Sequence, residues 1–337
     1  AQMHPREGLV VARVDLKLLA NDQRPVIAVL RLDGELAALE PKSITALVAR
    51  IVEQWRAADV NLVGIEIDYD CATSRLPDYA RVLRELRGEF ANELILSITV
   101  LPTWMDSSAL PSVLRNVDQA VLQVHSVSSP DRGLFDATKA RQWIARFDTL
   151  SPIPYWAALP SYGGALVFDR EGKVQVESER VLPIAGTRTE LQIDPRGMAD
   201  FLRMLQREKP THLLGIVWFR LPLSDDTRGW SMATLAAVIE GRTLVSAIDL
   251  RLQRNGPAHD LVVGNTGSLD SEMPEQITIR PADCEAADAL AGYSLQREPS
   301  RLVFHRTENA TLRAGSERVI AWLRCRNADA EVLHAEP

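Results

Sequence analysis

The chain has 337 residues, of which 46% are hydrophobic and 25% charged, so it is long enough for one large barrel or two domains. Its 38 Lys and Arg against 45 Asp and Glu give a net charge of −7, which excludes the basic surface typical of nucleic-acid binding. No apolar run approaches the roughly 18 residues needed to span a bilayer, so the sequence predicts no integral membrane segment.

Strand-like and helical segments alternate from about residue 9 to residue 240. The pattern predicts seven mostly apolar strands, which are "GLVVARVDL", "RPVIAVLRLDG", "LVGIEIDYD", "LILSITVLP", "QAVLQVHSV", "PYWAALPSYGG" and "HLLGIVWFRLP". Amphipathic helices follow most of these strands, beginning with "SITALVARIVEQWRAADV", where Ser43 is the expected N-cap. Apolar strands joined by helices are typical of a parallel sheet that is covered on both faces.

A closed barrel of this kind has eight strands, one more than the sequence shows. We therefore expect an α/β fold of the (β/α)8 TIM-like type, whose first strand is missing from this chain or is completed elsewhere. A doubly wound open sheet is the alternative, but the Gly-rich phosphate-binding turn that would support a nucleotide fold is absent from the sequence. The polar stretch from Phe168 to Ile193 predicts a β excursion inserted into the barrel.

The pattern changes after about Thr243, where short strands between turn residues replace the helices. This change predicts a barrel domain over 1–242 and an Ig-like β-sandwich over 243–337. Cys284 and Cys325 in the second domain are candidates for a disulfide, which would imply an oxidising compartment; two buried thiols are the alternative. Since a mature exported chain carries no leader, we expect a periplasmic or secreted protein whose signal peptide is not in this chain. The sequence indicates no oligomeric state.

The third predicted strand carries acids at alternate positions, Glu66, Asp68 and Asp70. Side chains at i, i+2 and i+4 of a strand share a face, and here that face is the predicted barrel interior. Crowding and lost hydration should keep at least one carboxyl protonated near neutral pH, as a general acid requires. Asp70 lies nearest the C-terminal end of the strand, where the working residues of barrels are found.

Two arginines, Arg31 and Arg220, each end a predicted strand, with side chains that could reach the interior. They either neutralise the acids or bind an anionic group of an acidic polysaccharide bidentately. Pairing of the acids with these two residues or with Arg75, in a purely structural role, is the alternative. Cys71 follows the acids without a nearby His and is interpreted as a packed thiol.

Further candidates for sugar binding lie near the ends of other strands. Gln123 could bind a hydroxyl, and His125 could carry a proton or bind sugar, although a structural role is the alternative for a lone His. Aromatic faces could stack on sugar rings, with core packing as the alternative, at Tyr162, Trp218 and Trp104. The acids with His125 offer metal ligands, but no paired-His or Cys-x-x-Cys spacing supports a site, so we expect no metal and no cofactor.

The stretch "VGIEIDYD" resembles the signature strand of family 18 glycoside hydrolases, the chitinases and their relatives, which reads D-G-φ-D-φ-D-[WY]-E with φ apolar. The resemblance implies that Asp70 donates the proton to the leaving oxygen, that Asp68 holds this proton and stabilises the transition state, and that Glu66 supports Asp68. Three positions depart from the signature: Val63 replaces its first acid, Glu66 its second, and Asp70 is one methylene shorter than the Glu that donates the proton.

The family's Met-x-Tyr-Asp strand has become Gln123, Val124, His125 and Ser126, so the groups that steady the substrate's acetamido group have no equivalents here. The substrate-assisted mechanism that uses the acetamido group is therefore in doubt. "AALPSYGG" resembles the family's "GLPYYG" strand, and "GIVWFRLP" falls where the last strand carries a floor tryptophan.

A closer resemblance is to the bacterial domain-of-unknown-function family 3142, carried by "DYDCATSRLPDYA", "LQVHS", "ALPSYG", "GIVWFRLP", "NTG" and "WLRC". That family has no assigned activity. We expect a glycoside-hydrolase-like enzyme acting on an extracytoplasmic poly- or oligosaccharide. A non-catalytic carbohydrate-binding or scaffold protein on a degenerate hydrolase barrel is the alternative, and a metal-dependent hydrolase is a third possibility.

Overall fold

The computed structural model describes residues 2–4, 8–36, 38–90, 93–125, 133–177, 185–223, 228–280, 282–327 and 334–336. The chain divides into two compact units. Unit 1 comprises Ala1–Pro160 and Met204–Phe219, and unit 2 comprises Ser161–Arg203 and Arg220–Pro337. The domain boundary expected between residues 242 and 243 stays a prediction.

The strands of the first two thirds of the chain are β1 Gln2–His4, β2 Gly8–Val10, β3 Val26–Leu32, β4 Leu62–Tyr69, β5 Ile95–Val100, β6 Gln119–Gln123, β7 Tyr155–Pro160, β8 Gly164–Asp169, β9 Val174–Glu177, β10 Gly186–Leu191 and β11 Leu213–Phe219. Eight of them form the sheet of unit 1, in the order β11-β7-β6-β5-β4-β3-β1-β2. From β3 to β7 each strand pairs in parallel with the next, and β11 continues the series beside β7. This singly wound order is that of a barrel, whereas a doubly wound sheet reverses direction from its first strand.

The helices are α1 Leu16–Asp22, α2 Pro41–Ala57, α3 Leu76–Phe90, α4 Leu110–Leu114, α5 Ala137–Leu150, α6 Pro195–Glu208 and α7 Met232–Ile239. Helix α2 begins two residues before the predicted N-cap Ser43, because Pro41 occupies its first turn with Glu40 as the N-cap. In α5 the Asp136 carboxylate caps the first turn by accepting hydrogen bonds from two backbone N–H groups. Within the described residues, no helix has both the length and the apolar character needed to cross a bilayer.

The first strand expected to be missing is present in this chain. Strand β1 pairs in parallel with β3 through Gln2 opposite Arg31 and Met3 opposite Leu32, and β2 pairs antiparallel with β1. The predicted strand "GLVVARVDL" is therefore only partly a strand, because the Asp15 side chain accepts a hydrogen bond from the Leu18 N–H and caps α1. Among the described residues, no pairing joins β11 to β2. The predicted α/β class, with a parallel sheet of barrel-type order, is confirmed.

Unit 2 contains the β excursion that the polar stretch after β7 predicts. Strands β8, β9 and β10 form an antiparallel sheet in the order β10-β8-β9. The first four residues of β8, Gly164 to Val167, are buried, whereas β10 is exposed over most of its length. The central strand of the excursion is therefore covered on both faces over its first part, and the edge strand β10 is polar and exposed.

The last part of unit 2 is antiparallel β structure. Its strands are β12 Ile248–Asn255, β13 Ala258–Asn265, β14 Ser271–Glu272, β15 Gln276–Ile279, β16 Ala282–Ala289, β17 Tyr293–Glu298, β18 Arg301–Arg306, β19 Thr311–Leu312, β20 Glu317–Asn327 and β21 His334–Glu336. Two four-stranded sheets, β12-β13-β20-β16 and β17-β18-β15-β21, contribute to one apolar core, to which Leu261, Ile277, Phe304 and Ile320 belong. Cys284 and Cys325 face each other across β16 and β20 and are joined by a disulfide.

Candidate functional site

Strand β4 places Glu66 and Asp68 on one face by ordinary strand alternation, and Asp70 directly follows the end of the strand. Ile65, Ile67 and Tyr69 are buried on the face that packs against the helices, and the acids between them stay partly exposed. Exposure rises toward the C-terminal end, from 17% for the Asp68 side chain to 36% for Asp70. We call Glu66, Asp68 and Asp70 the acid stripe. It runs from a deep carboxyl to one that solvent reaches.

The deepest acid is held by two hydroxyl groups from β5. Ser97 lies opposite Glu66 in the strand register, and its Oγ donates to Glu66 Oε2 at 3.1 Å. Thr99 Oγ1 donates to Glu66 Oε1 at 3.2 Å. Burial raises the pKa of Glu66 and the neighbouring Asp68 charge adds to this rise, while the two hydrogen bonds partly oppose it. Glu66 therefore keeps a proton to higher pH than a surface glutamate does.

The outer acids share one arginine from the neighbouring strand. Arg31 of β3 lies opposite Asp68 in the register, and its Nη2 is 3.2 Å from Asp70 Oδ2. Its Nε is 3.8 Å from Asp68 Oδ2, which is beyond hydrogen-bond range. The structure therefore divides the stripe into a deep acid that favours its proton and outer acids beside a cation.

Aromatic side chains fix the end of the acid strand from behind. The Tyr79 hydroxyl donates to the Ile67 carbonyl at 2.8 Å, and the Trp104 Nε1 donates to the Cys71 carbonyl at 3.0 Å. Trp104 is fully buried against Tyr79, so its indole offers no face to a sugar; it positions the backbone instead. Cys71 is buried too, and burial raises the pKa of its thiol to about 12, which agrees with a packed rather than a nucleophilic thiol.

The two polar candidates at the end of β6, Gln123 and His125, lie together. The His125 ring is buried and stacks on Phe219 at 5.5 Å, with its Nδ1 3.2 Å from the Ala158 carbonyl oxygen. Burial lowers the pKa of this imidazole, so the neutral form is favoured. Gln123 Nε2 donates to the His125 carbonyl at 3.2 Å, so both side chains brace the end of the strand. Ser126 lies outside the described residues.

The remaining candidates fall in different units. Trp218 is on β11 in unit 1, opposite Leu159 of β7, and is partly exposed. Tyr162 and Arg220 belong to unit 2, where Tyr162 is buried and the Ser161 hydroxyl donates to the Arg220 carbonyl at 2.5 Å. Within unit 1 the structure thus brings together the acid stripe and Arg31, and separately Gln123 and His125.

Sequence reasoning missed Ser97 and Thr99, although the signal was available. The string "LSITV" alternates polar and apolar residues in the strand after the acidic one. Parallel neighbours in register put such residues on the same face as the acids. For the metal alternative, the described part of the chain contains no group of three or more His, Cys, Asp or Glu side chains that could hold an ion.

Comparison with solved structures gives matches of low identity. The spore cortex-lytic enzyme SleL of Bacillus megaterium QM B1551 matches at 16% identity with a TM-score of 0.45, over 64% of this chain and 60% of that one. SleL of Bacillus cereus matches at 14% identity with a TM-score of 0.47, over 72% of this chain and 66% of that one. A class V chitinase from Pseudomonas fluorescens Pf-5 matches at 12% identity with a TM-score of 0.40, over 62% of this chain and 80% of that one. The matched region spans less than two thirds of either SleL chain.

Comparison with curated proteins gives no match. Two family profiles match the sequence. One, described as "Domain of unknown function (DUF8456)", matches residues 248–326. The other, described as "Domain of unknown function (DUF3142)", matches residues 22–224, which is more than half of the chain. By this second match the protein belongs to the DUF3142 family.

Proposed function

We propose that this protein is a glycoside-hydrolase-like enzyme that acts on an extracytoplasmic polysaccharide, with Asp70 as the proton donor. One observation carries the proposal. The acid stripe ends in a solvent-reached carboxyl at the C-terminal end of a parallel strand, with a second carboxyl directly behind it. Glycosidic bond cleavage needs such a pair, one to protonate the leaving oxygen and one to act on the anomeric side.

The three acids take separate roles in this proposal. Asp70 gives its proton to the leaving glycosidic oxygen, and Asp68 holds that proton between steps and stabilises the cationic transition state. Glu66, held by its two hydroxyl donors, supports Asp68 from below. Because its pKa is raised, Glu66 adds less negative charge beneath Asp68 than an ordinary carboxylate would.

Sugar contacts would come from the ends of the other strands. Trp218 keeps part of its indole exposed and is the aromatic candidate within unit 1. Gln123, Tyr162, Arg220 and His125 stay predictions as substrate ligands, and the burial of His125 favours a bracing role. Trp104 is left out because its ring is fully enclosed.

The location outside the cytoplasm is supported by the disulfide. Cys284 and Cys325 are joined between two strands of the C-terminal sheets. Disulfides persist in oxidising compartments and are rare in reducing ones. A periplasmic or secreted enzyme would meet its polysaccharide there.

A non-catalytic carbohydrate-binding protein on the same fold is the second candidate, and one observation favours it. Asp70 stands where the resembled hydrolases carry a longer glutamate, and the Arg31 guanidinium is 3.2 Å from its carboxylate. A shift of about 1 Å in a reacting group can cost about a hundredfold in rate. Such a site could hold a sugar without cleaving it.

Release of reducing ends from a panel of bacterial polysaccharides separates the two candidates. For an enzyme, Asp70→Asn should lower the rate about 100- to 10,000-fold while sugar binding persists, because the amide cannot donate an acid proton. Asp200→Asn, at an exposed residue of α6, is the matched control and should keep the wild-type rate. An unchanged rate in Asp70→Asn would refute its role, and binding without release by the wild type would favour the binding protein.

A further inference from the structure

Resting on the proposed function, we propose that Gly34 and Trp104 are positioning residues for the proton donor Asp70. Each lies in the segment that follows a strand next to β4, with Gly34 after β3 and Trp104 after β5. Both contact the main chain at the outer end of the acid stripe, one from each flanking strand. Together they determine where the Asp70 carboxyl lies.

The main chain turns tightly at Asp70 and is held there from the β5 side. The Cys71 N–H donates to the Tyr69 carbonyl at 2.8 Å, which closes a three-residue turn with Asp70 at its centre. The buried Trp104 Nε1 donates to the Cys71 carbonyl at 3.0 Å. Because both hydrogen bonds end on main-chain atoms of the acid segment, they do not require a particular charge on the Asp70 carboxyl.

On the β3 side, Gly34 packs against the peptide that joins Asp70 to Cys71. A Cβ built on Gly34 would overlap the Asp70 carbonyl oxygen and would lie 3.0 Å from the carbonyl carbon. These are main-chain atoms, which cannot rotate away as the end of a flexible side chain can. Glycine is the residue that permits such a close approach of two backbone segments.

The turn that carries Gly34 is itself held, so a clash there would also displace the acid segment. The Leu36 N–H donates to the Asp33 carbonyl at 3.1 Å, and the Asp33 side chain accepts a hydrogen bond at 2.8 Å from the N–H two residues on. Arg75 Nη2 donates to the Leu36 carbonyl at 2.8 Å and ties the turn to the segment that follows Asp70.

The side chain of the proton donor passes such a displacement on to its carboxyl. Aspartate has fewer side-chain torsions than glutamate, so its carboxyl follows the main chain more closely. A misplacement of about 1 Å can cost about a hundredfold in rate. Gly34 and Trp104 therefore act on proton transfer through Asp70, without being reacting groups themselves.

Crystal structures of the intact wild type and of two single variants measure the positioning directly. We expect Gly34→Ala to move the Asp70 carboxyl by about 1 Å relative to Glu66, because the added methyl pushes the Asp70 peptide. Trp104→Phe keeps a large ring but removes the N–H donor, and should move the carboxyl in the same range. Glu66 itself should keep its place in both variants.

Two matched controls carry the same substitutions away from the acid stripe. Gly88→Ala changes an exposed helical glycine, where no described atom lies within 4 Å of an added Cβ. Trp156→Phe removes an indole hydrogen bond of 3.2 Å to the Gln119 side chain. Both controls should leave the position of Asp70 and the rate of cleavage unchanged.

Kinetics on the bacterial polysaccharide from which the wild type releases most reducing ends give the second measurement. Gly34→Ala should lower kcat about 100-fold and Trp104→Phe about 10-fold, with KM within about 3-fold of the wild type, because the sugar contacts remain. Since both residues hold one main-chain segment, the double variant should lose less than the product of the two single losses. Thermal unfolding establishes that each variant is folded, and if one is not, the other carries both measurements.

Two results would overturn the inference: an Asp70 carboxyl that stays within about 0.5 Å of its wild-type position in each folded variant, or an unchanged kcat in each. Its failure differs from failure of the proposed function. Asp70-dependent release of reducing ends, with kcat unchanged in both variants, would keep the function and remove the inference. No release by the wild type from any polysaccharide would remove the function and, with it, the role of both residues in proton transfer.

Discussion

Two clusters of carboxylates and arginines, one in each unit, differ in how closely their acids are paired with arginines. In unit 2, Arg228 Nη1 lies 2.5 Å from Glu177 Oε1, and its Nε lies 2.7 Å from Glu190 Oε2. Arg188 Nε adds a contact of 3.4 Å to Glu177 Oε2. We call these four residues the arginine clamp. In the clamp two arginines contact two acids, whereas in the acid stripe Arg31 lies beside Asp68 and Asp70, and Glu66 accepts hydrogen bonds from two hydroxyl groups.

The two clusters differ in how the buried carboxyl of each is stabilised. The Glu177 side chain is completely buried, and a buried carboxylate is stable only when cations and hydrogen bonds compensate it. The clamp supplies that compensation and fastens β9 and β10 to the segment at Arg228. Glu66 in the stripe accepts hydrogen bonds from two hydroxyl groups, which only partly oppose the rise in its pKa that burial causes.

The largest stability effect is expected at the clamp. Arg228→Ala should lower the free energy of unfolding by about 3 kcal/mol, because it removes the nearer of the two arginines that contact the buried Glu177. Urea denaturation followed by tryptophan fluorescence measures the loss. Glu177→Gln in the Arg228→Ala background should recover part of it, since a neutral amide needs no cation.

Arg203→Ala is the matched control for the clamp. Its ion pair with Asp200 is exposed on one helix, so the loss should stay below about 0.5 kcal/mol. A loss of similar size in both variants would mean that the clamp does not stabilise unit 2 by compensating a buried charge.

A smaller effect of opposite sign is expected at the stripe. Glu66→Gln should stabilise the protein at neutral pH by roughly 1 kcal/mol, the ordinary size of a single-substitution effect. Burial raises the pKa of Glu66 above its ordinary value of 4.5. A group whose pKa is raised on folding contributes stability below its unfolded pKa and loses it as the pH rises through the folded pKa. The glutamine variant has no such loss.

The pH dependence distinguishes this explanation from a packing effect. The stability gap between Glu66→Gln and the wild type should be small below about pH 4.5 and should widen as the pH rises above that value. Urea denaturation at a series of pH values measures the gap. A gap that is constant with pH, or that narrows as the pH rises, would contradict a raised pKa at Glu66.

Much of the stripe follows from the sequence because strand alternation is a local rule. The spacing of Glu66, Asp68 and Asp70 fixes a shared face, and the parallel order of the strands follows from their apolar character. The N-terminal stretch does not follow, because only Gly8–Val10 of "GLVVARV" form a strand, and Asp15, just after this stretch, caps a helix that begins at Leu16. The capping residue determines where the helix begins in such a segment, and the hydrophobic pattern alone does not indicate that position.

Local sequence patterns did not predict the side-chain contacts between segments that are distant in the sequence. The sequence does not show whether an aromatic residue after a strand faces solvent or the core. In the structure Trp104 is fully buried, and its Nε1 donates to the Cys71 carbonyl. The sequence did not indicate the arginine clamp either, since Glu177 and Arg228 are 51 positions apart and neither belongs to a periodic motif. Partners of this kind are set by the fold, which is why the sequence suggested Arg31 for the acids but not Arg228 for Glu177.

The smallest effects should come from the two hydroxyl donors of the stripe. Each hydrogen bond to Glu66 lowers the pKa of that carboxyl, and the bond from Ser97 lowers it more than the bond from Thr99. Ser97→Ala should therefore raise the pKa of Glu66 further, and Thr99→Val should raise it by less, as expected for the loss of single hydrogen bonds of about 0.5–1.5 kcal/mol. Carbon-13 NMR titration of the Glu66 carboxyl measures both shifts, with Ser112→Ala, whose hydroxyl donates to the Ala109 carbonyl, as the control that should not move it. The reverse order, or a fall in the pKa in either variant, would mean that these hydroxyls do not stabilise the charged form, and the contrast with the clamp would lose its physical basis.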